Sequence, residues 1–161
     1  MNPGFSIAAA FLILLLGVTS CRDSGKQAGG SADSSGHVHT PPHGGTAVVL
    51  GSEDYHLEFV LDPTAGALVA YVLDGHMENF IRIAAPSFTV TARVAGKDGT
   101  LDFQAVASSA TGEALGDTAQ FAAQAEWLKQ TQEFDAVIST IAIRGRTFTN
   151  VMFNFPKGND H

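Results

Sequence analysis

The chain of 161 residues has one cysteine, one tryptophan and 16% charged residues, and each scarcity excludes something. A single cysteine, Cys21, cannot form an internal disulfide, and it also removes the Cys…Trp…Cys pattern of true immunoglobulin domains. Apart from it there is no thiol nucleophile, no Gly-x-Ser-x-Gly elbow and no phosphate-binding glycine loop, so no catalytic set is visible and an enzyme is not expected. Basic residues are few. Nine Lys and Arg stand against 16 Asp and Glu, a net charge of −7. Scattered cations in an acidic chain argue against a nucleic-acid partner. They permit, weakly because salt screens it, the attraction of cations. The apolar run "SIAAAFLILLLGV", residues 6–18, falls short of the roughly 20 residues a membrane helix needs and has the length of a signal-peptide core. No Lys or Arg precedes it, so only the terminal amine supplies the positive n-region.

That apolar run is followed at once by Val18-Thr19-Ser20-Cys21. Small residues ending in Cys at this position resemble the lipobox of bacterial lipoproteins. The resemblance implies a signal peptide over 1–20, cleavage, and acylation (palmitate among the chains) of Cys21 as the first mature residue. The partner it implies is a membrane, through a lipid anchor at the cell envelope. Arg22 rather than Asp follows the cysteine, which favours the periplasmic side of the outer membrane in a host with two membranes. Next comes "RDSGKQAGGSADSSG", residues 22–36, with no apolar residue larger than Ala. Such a stretch cannot bury enough surface to offset the entropy of ordering, so 21–42 reads as the lipidated Cys and a disordered linker, stiffened at its end by Pro41-Pro42. The folded domain is expected over 43–161.

From Thr46 onward the apolar period is two. "YHLEFVL", 55–61, alternates, "DPTAG", 62–66, turns, and "ALVAYVLDG", 67–75, returns as a hairpin. "SFTVTARV", 87–94, with "TLDFQAVAS", 100–108, makes a second hairpin. "FDAVISTIAI", 134–143, with "RTFTNVMFNF", 146–155, makes a third around a tight Arg144-Gly145 turn. Between them, 118–134 is rich in helix formers. It predicts one helical turn at Glu126–Lys129 that plugs an end of the sheets with Trp127 or Leu128, and a short extended piece at Phe121. The expected fold is all-β: a small antiparallel β-sandwich, Ig-like in architecture only, or an open barrel of about seven strands.

The chemistry available to this chain is that of its histidines. "HVHTPPHGG", residues 37–45, holds three of the six. His37 and His39, at i and i+2, face the same way in an extended chain, but two ligands on a flexible arm bind weakly where a closed site needs four. They are therefore secondary candidates. His43 is followed by two glycines, which allow close approach of a neighbouring strand. His56 and Glu58 share one face of a strand, opposite Tyr55, Leu57, Phe59 and Leu61. With the hairpin turn centred at 64–65, cross-strand partners sum to about 129. His56 then faces Leu73, beside Asp74 and near His76. His161 is terminal.

Residues 42–76, from Pro-His-Gly-Gly through Glu58 to the aromatic strand Tyr71–Gly75, resemble the His-Gly-Gly domain near the N-terminus of heavy-metal efflux adaptor (membrane-fusion) proteins, and the same segment in small lipid-anchored envelope proteins. The resemblance covers about a quarter of the chain. It implies a β-rich periplasmic domain linked to metal handling and points to His43, Glu58 and Asp74. The chain lacks the coiled-coil hairpin and lipoyl-like half-motifs of the adaptors and is too short to be one. The expected function is non-catalytic binding of a divalent transition metal (Zn, Cu or Ni) at the envelope by His43, His56, Glu58, Asp74 and His76, with His37 and His39 as a collecting arm. The alternative is a structural module that binds another envelope protein through the apolar third hairpin: Ile141, Ile143, Phe148, Met152, Phe153 and Phe155.

Overall fold

The period-two segments become strands at the expected places. In a computed structural model, which describes residues 39–159, the strands are β1 (Thr46–Leu50), β2 (Tyr55–Asp62), β3 (Ala67–Asp74), β4 (Ser87–Val94), β5 (Lys97–Ala105), β6 (Gln120–Gln124), β7 (Phe134–Ile143) and β8 (Arg146–Phe155). The signal peptide, Cys21, His37 and His161 lie outside the described residues, and no helix among the described residues is long and apolar enough to cross a membrane. The protein is all-β. Its eight strands form one antiparallel sheet in the order β1-β2-β3-β6-β5-β4-β7-β8, which curls until β1 approaches β8. Of the two expected architectures this is the barrel. The eighth strand is the extended piece at Phe121.

Local rules account for the hairpins. Asp62 accepts hydrogen bonds from the Thr64 and Ala65 amides and shapes the β2–β3 turn. Arg144 and Gly145 both have positive φ, 48° and 83°, as a two-residue hairpin turn matched to strand twist requires. The predicted register also holds: His56 pairs with Leu73 and Tyr55 with Asp74, sums of 129. The strand order was not predictable from these rules. β4, β5 and β6 enter the sheet as a reversed block between β3 and β7, and this depends on non-local pairing.

The last residues close the barrel. The Asn159 side chain accepts from the Val49 N–H (2.7 Å) and donates to the Val49 carbonyl (3.1 Å), taking the place of a paired strand on the β1 edge. Inside, Phe59 stacks on Phe153 at 4.9 Å and meets Phe103 edge-on at 5.5 Å, while Phe103 stacks on Phe88. The predicted turn at Glu126–Lys129 is a single 3-10 turn. Leu128 is fully buried as the plug, and Trp127 packs edge-on against Phe134.

The third hairpin changes phase midway. Phe134, Ala136 and Ile138 face the core, and so do Ile141 and Ile143, with Ser139 and Thr140 exposed between them. Opposite, Asn150 takes positive φ (53°), so both strands reverse faces together and keep their register. Five of the six apolar residues expected to form a docking face are therefore core. Met152, 72% exposed, is the exception.

Candidate functional site

Glu58 lies between Leu57 and Phe59, so strand alternation turns its carboxylate to the outside of the barrel. It is nevertheless 0% exposed. A buried carboxylate requires donors, and residues 43–45 supply three. The backbone amides of His43 (2.8 Å) and Gly45 (2.9 Å) donate to Oε1, and His43 Nδ1–H donates to Oε2 (2.8 Å). Because a carboxylate only accepts, this contact places the imidazole hydrogen on Nδ1. His43, Gly44 and Gly45 then each have a physical role. Pro41 accepts from the Gly44 amide in a turn, and Gly44 adopts φ +68°. Gly45 lies so close to β2 that a Cβ would stand 2.5 Å from the Phe59 carbonyl oxygen. The segment is stapled to the sheet, and Glu58 is bonded to His43 rather than paired with His56. Alternation alone would leave this face of β2 wet, but residues 43–45 cover it and bury the Glu58 carboxylate.

His56, two residues along the same face, is also 0% exposed, and its Nδ1–H donates to the Asp74 carbonyl at 3.2 Å. His39 lies over it. The two ring centroids are 4.8 Å apart, and the His39 ring is 6.2 Å from that of His76. His39 thus packs on the domain four residues before the expected boundary at His43. His56, His76 and the Asp74 backbone gather at one end of the hairpin as the register predicted, with His39 as the third ring. The Asp74 side chain is used differently. Its oxygens accept from the His76 and Glu78 amides and from Asn79 Nδ2, building the turn after β3. Slight burial opposes its ionisation, but the hydrogen bonds from the Asn79 side chain and the neighbouring amides outweigh that and lower its pKa. Among the described residues, no three His, Cys, Asp or Glu side chains stand in position to hold one metal ion.

Beside the staple is a partly open cavity of about 540 Å³. Tyr71 faces Glu58 across the β2–β3 ladder, and the His43 ring stacks on it at 4.0 Å with 17° between planes. Phe80, 49% exposed, lies 5.7 Å from His43 and 6.0 Å from Tyr71. Burial, then the nearby Glu58 and Glu113 carboxylates, raise the Tyr71 pKa from its ordinary value. On the other side Arg82 donates to the Thr111 and Gly112 carbonyls and to Asp117, which fixes the 108–117 loop. Glu113 accepts from the Thr111 hydroxyl and the Ala119 amide. Sequence reasoning missed Phe80, Arg82 and Glu113 because they lie in connections with no periodic signal. Comparison with known proteins finds no matching family model, no matching curated protein and no matching solved structure.

Proposed function

We propose that the chain is a lipid-anchored envelope protein that binds a divalent transition metal without catalysing a reaction. The observation that carries this reading is the gathering of three imidazoles, His39 from the arm, His56 from β2 and His76 from the turn after β3. Imidazole suits Zn²⁺, Cu²⁺ and Ni²⁺. His56 already has the support a metal-bound histidine needs, since its Nδ1–H is held by a backbone carbonyl that fixes the ring. His76 is exposed, so its ring can turn toward the other two at little cost, as interface side chains commonly do on binding. Within the candidates the sequence suggests, His39 moves from a secondary to a principal ligand, while His43, Glu58 and the Asp74 carboxylate serve the fold. His37, two residues before His39, is a further donor on the same arm.

Calorimetric titration of Zn²⁺, Cu²⁺ and Ni²⁺ into residues 22–161 tests the reading. His76→Ala and His39→Ala are each expected to weaken binding at least about tenfold, a cost of about 1.4 kcal/mol. Heats equal to those of a chain lacking all three histidines would refute it. The anchor is tested separately. Cys21→Ser is expected to move the protein from the membrane fraction to the soluble one, and retention in the membrane would overturn the lipobox reading.

A further inference from the structure

The 540 Å³ cavity beside His43 is distinct from the three-histidine cluster, and its chemistry is not that of a metal site. One wall is aromatic: His43, Tyr71 and Phe80, with Phe80 half exposed at the mouth. The rest offers neutral hydrogen-bonding groups, the amides of Asn79 and Gln120 and the hydroxyl of Ser108. The two charged lining residues are largely committed. Arg82 is bonded to two carbonyls and Asp117, and Glu113 to a hydroxyl and an amide, so the hydrogen-bonding capacity of both is largely spent within the protein. The ring geometry narrows the class further. Phe80 meets His43 at 47° and Tyr71 at 61°. The rings form a corner rather than a parallel slot, which suits a puckered ring with an apolar C–H face better than a flat heterocycle sandwiched between planes.

We propose that this cavity binds a neutral saccharide, one face of a sugar ring resting on Phe80 and its hydroxyls bonding to Asn79, Gln120 and the Tyr71 phenol. The side chains stand on β3, on β6 and on a segment bonded to β3 and to the chain just before β6: Ile81 N–H donates to the Val72 carbonyl and Ile83 N–H to that of Thr118. The site is therefore formed before the ligand arrives, which lowers the ordering cost of binding.

Saturation-transfer NMR on the full chain carrying Cys21→Ser, with triacetylchitotriose and maltotriose as probes and adenosine as the flat control, decides it. Transfer is expected to the C–H protons of at least one saccharide. Phe80→Ala and Gln120→Ala should each weaken that binding at least tenfold, while the melting temperature and the zinc titration stay unchanged because Phe80 is half exposed and outside the histidine cluster. Silence of both saccharides overturns the proposal. So does a saccharide signal that survives Phe80→Ala, and so does binding of adenosine alone. Loss of zinc binding without loss of the saccharide signal would count against the metal reading and leave this one standing.

Discussion

Replacing Glu58 with alanine is expected to lower the unfolding free energy by about 3–5 kcal/mol, because three donors lose their acceptor at about 1–3 kcal/mol each where they stay buried. The size follows from what the carboxylate holds. It is fully buried and accepts three hydrogen bonds, two of them from backbone amides that would otherwise go unpaired beneath the arm. Truncation removes the acceptor from all three donors at once and detaches residues 43–45 from β2. Glu58→Gln is expected to cost less, about 1–3 kcal/mol, because the amide oxygen still accepts from the two backbone N–H groups. Its NH₂ then faces Nδ1 of His43, and the clash is relieved if the ring hydrogen moves to Nε2. Denaturant unfolding gives the energies, and nitrogen-15 shifts of the His43 ring report the tautomer. A Glu58→Ala protein within 1 kcal/mol of the parent would show that the staple does not hold the arm.

Phe59→Ala is expected to be equally damaging, about 3–5 kcal/mol, for a different reason. Phe59 is 0% exposed and bridges the barrel interior, stacked on Phe153 of β8 and edge-on to Phe103 of β5. β2 and β5 are not neighbours in the sheet, so removing this ring leaves a void between walls that a curved, hydrogen-bonded sheet cannot close. The two substitutions are adjacent in sequence and act on opposite faces. Hydrogen exchange separates them. The Gly45 amide should lose protection in Glu58→Ala through local release of the arm, whereas in Phe59→Ala its protection should fall only as far as global stability falls. Matching exchange patterns in the two variants would show that arm and barrel form one cooperative unit.

Much of the fold was legible in the sequence because its determinants are local. Period-two alternation located the strands, Asp-Pro and Arg-Gly marked two of the turns, and the β2–β3 turn fixed the register that places His56 opposite Leu73. The helical turn at Glu126–Lys129 and the extended piece at Phe121 were also readable, because local composition changes there. The apolar face of the third hairpin was misread. Its apolar residues are core because the chain shifts phase at Ser139 and Thr140 and sends Ile141 and Ile143 inward with Ile138.

The candidate site was legible as residues and not as roles. Pro-His-Gly-Gly, Glu58, His56 and Asp74 all stand out in the sequence, and all are used. What the sequence by itself determined is the set of strands, their hairpin pairings, and the presence of two polar residues on one face of β2. Only the tertiary structure decided that the arm folds over that face and holds Glu58 through His43 and Gly45. Tertiary structure alone brought His39 to His56, and Phe80, Arg82 and Glu113 around one cavity. The physical reason is range: alternation and turn chemistry are set by neighbours a few residues apart, whereas burial of a polar group and the company it keeps depend on which distant segment covers it.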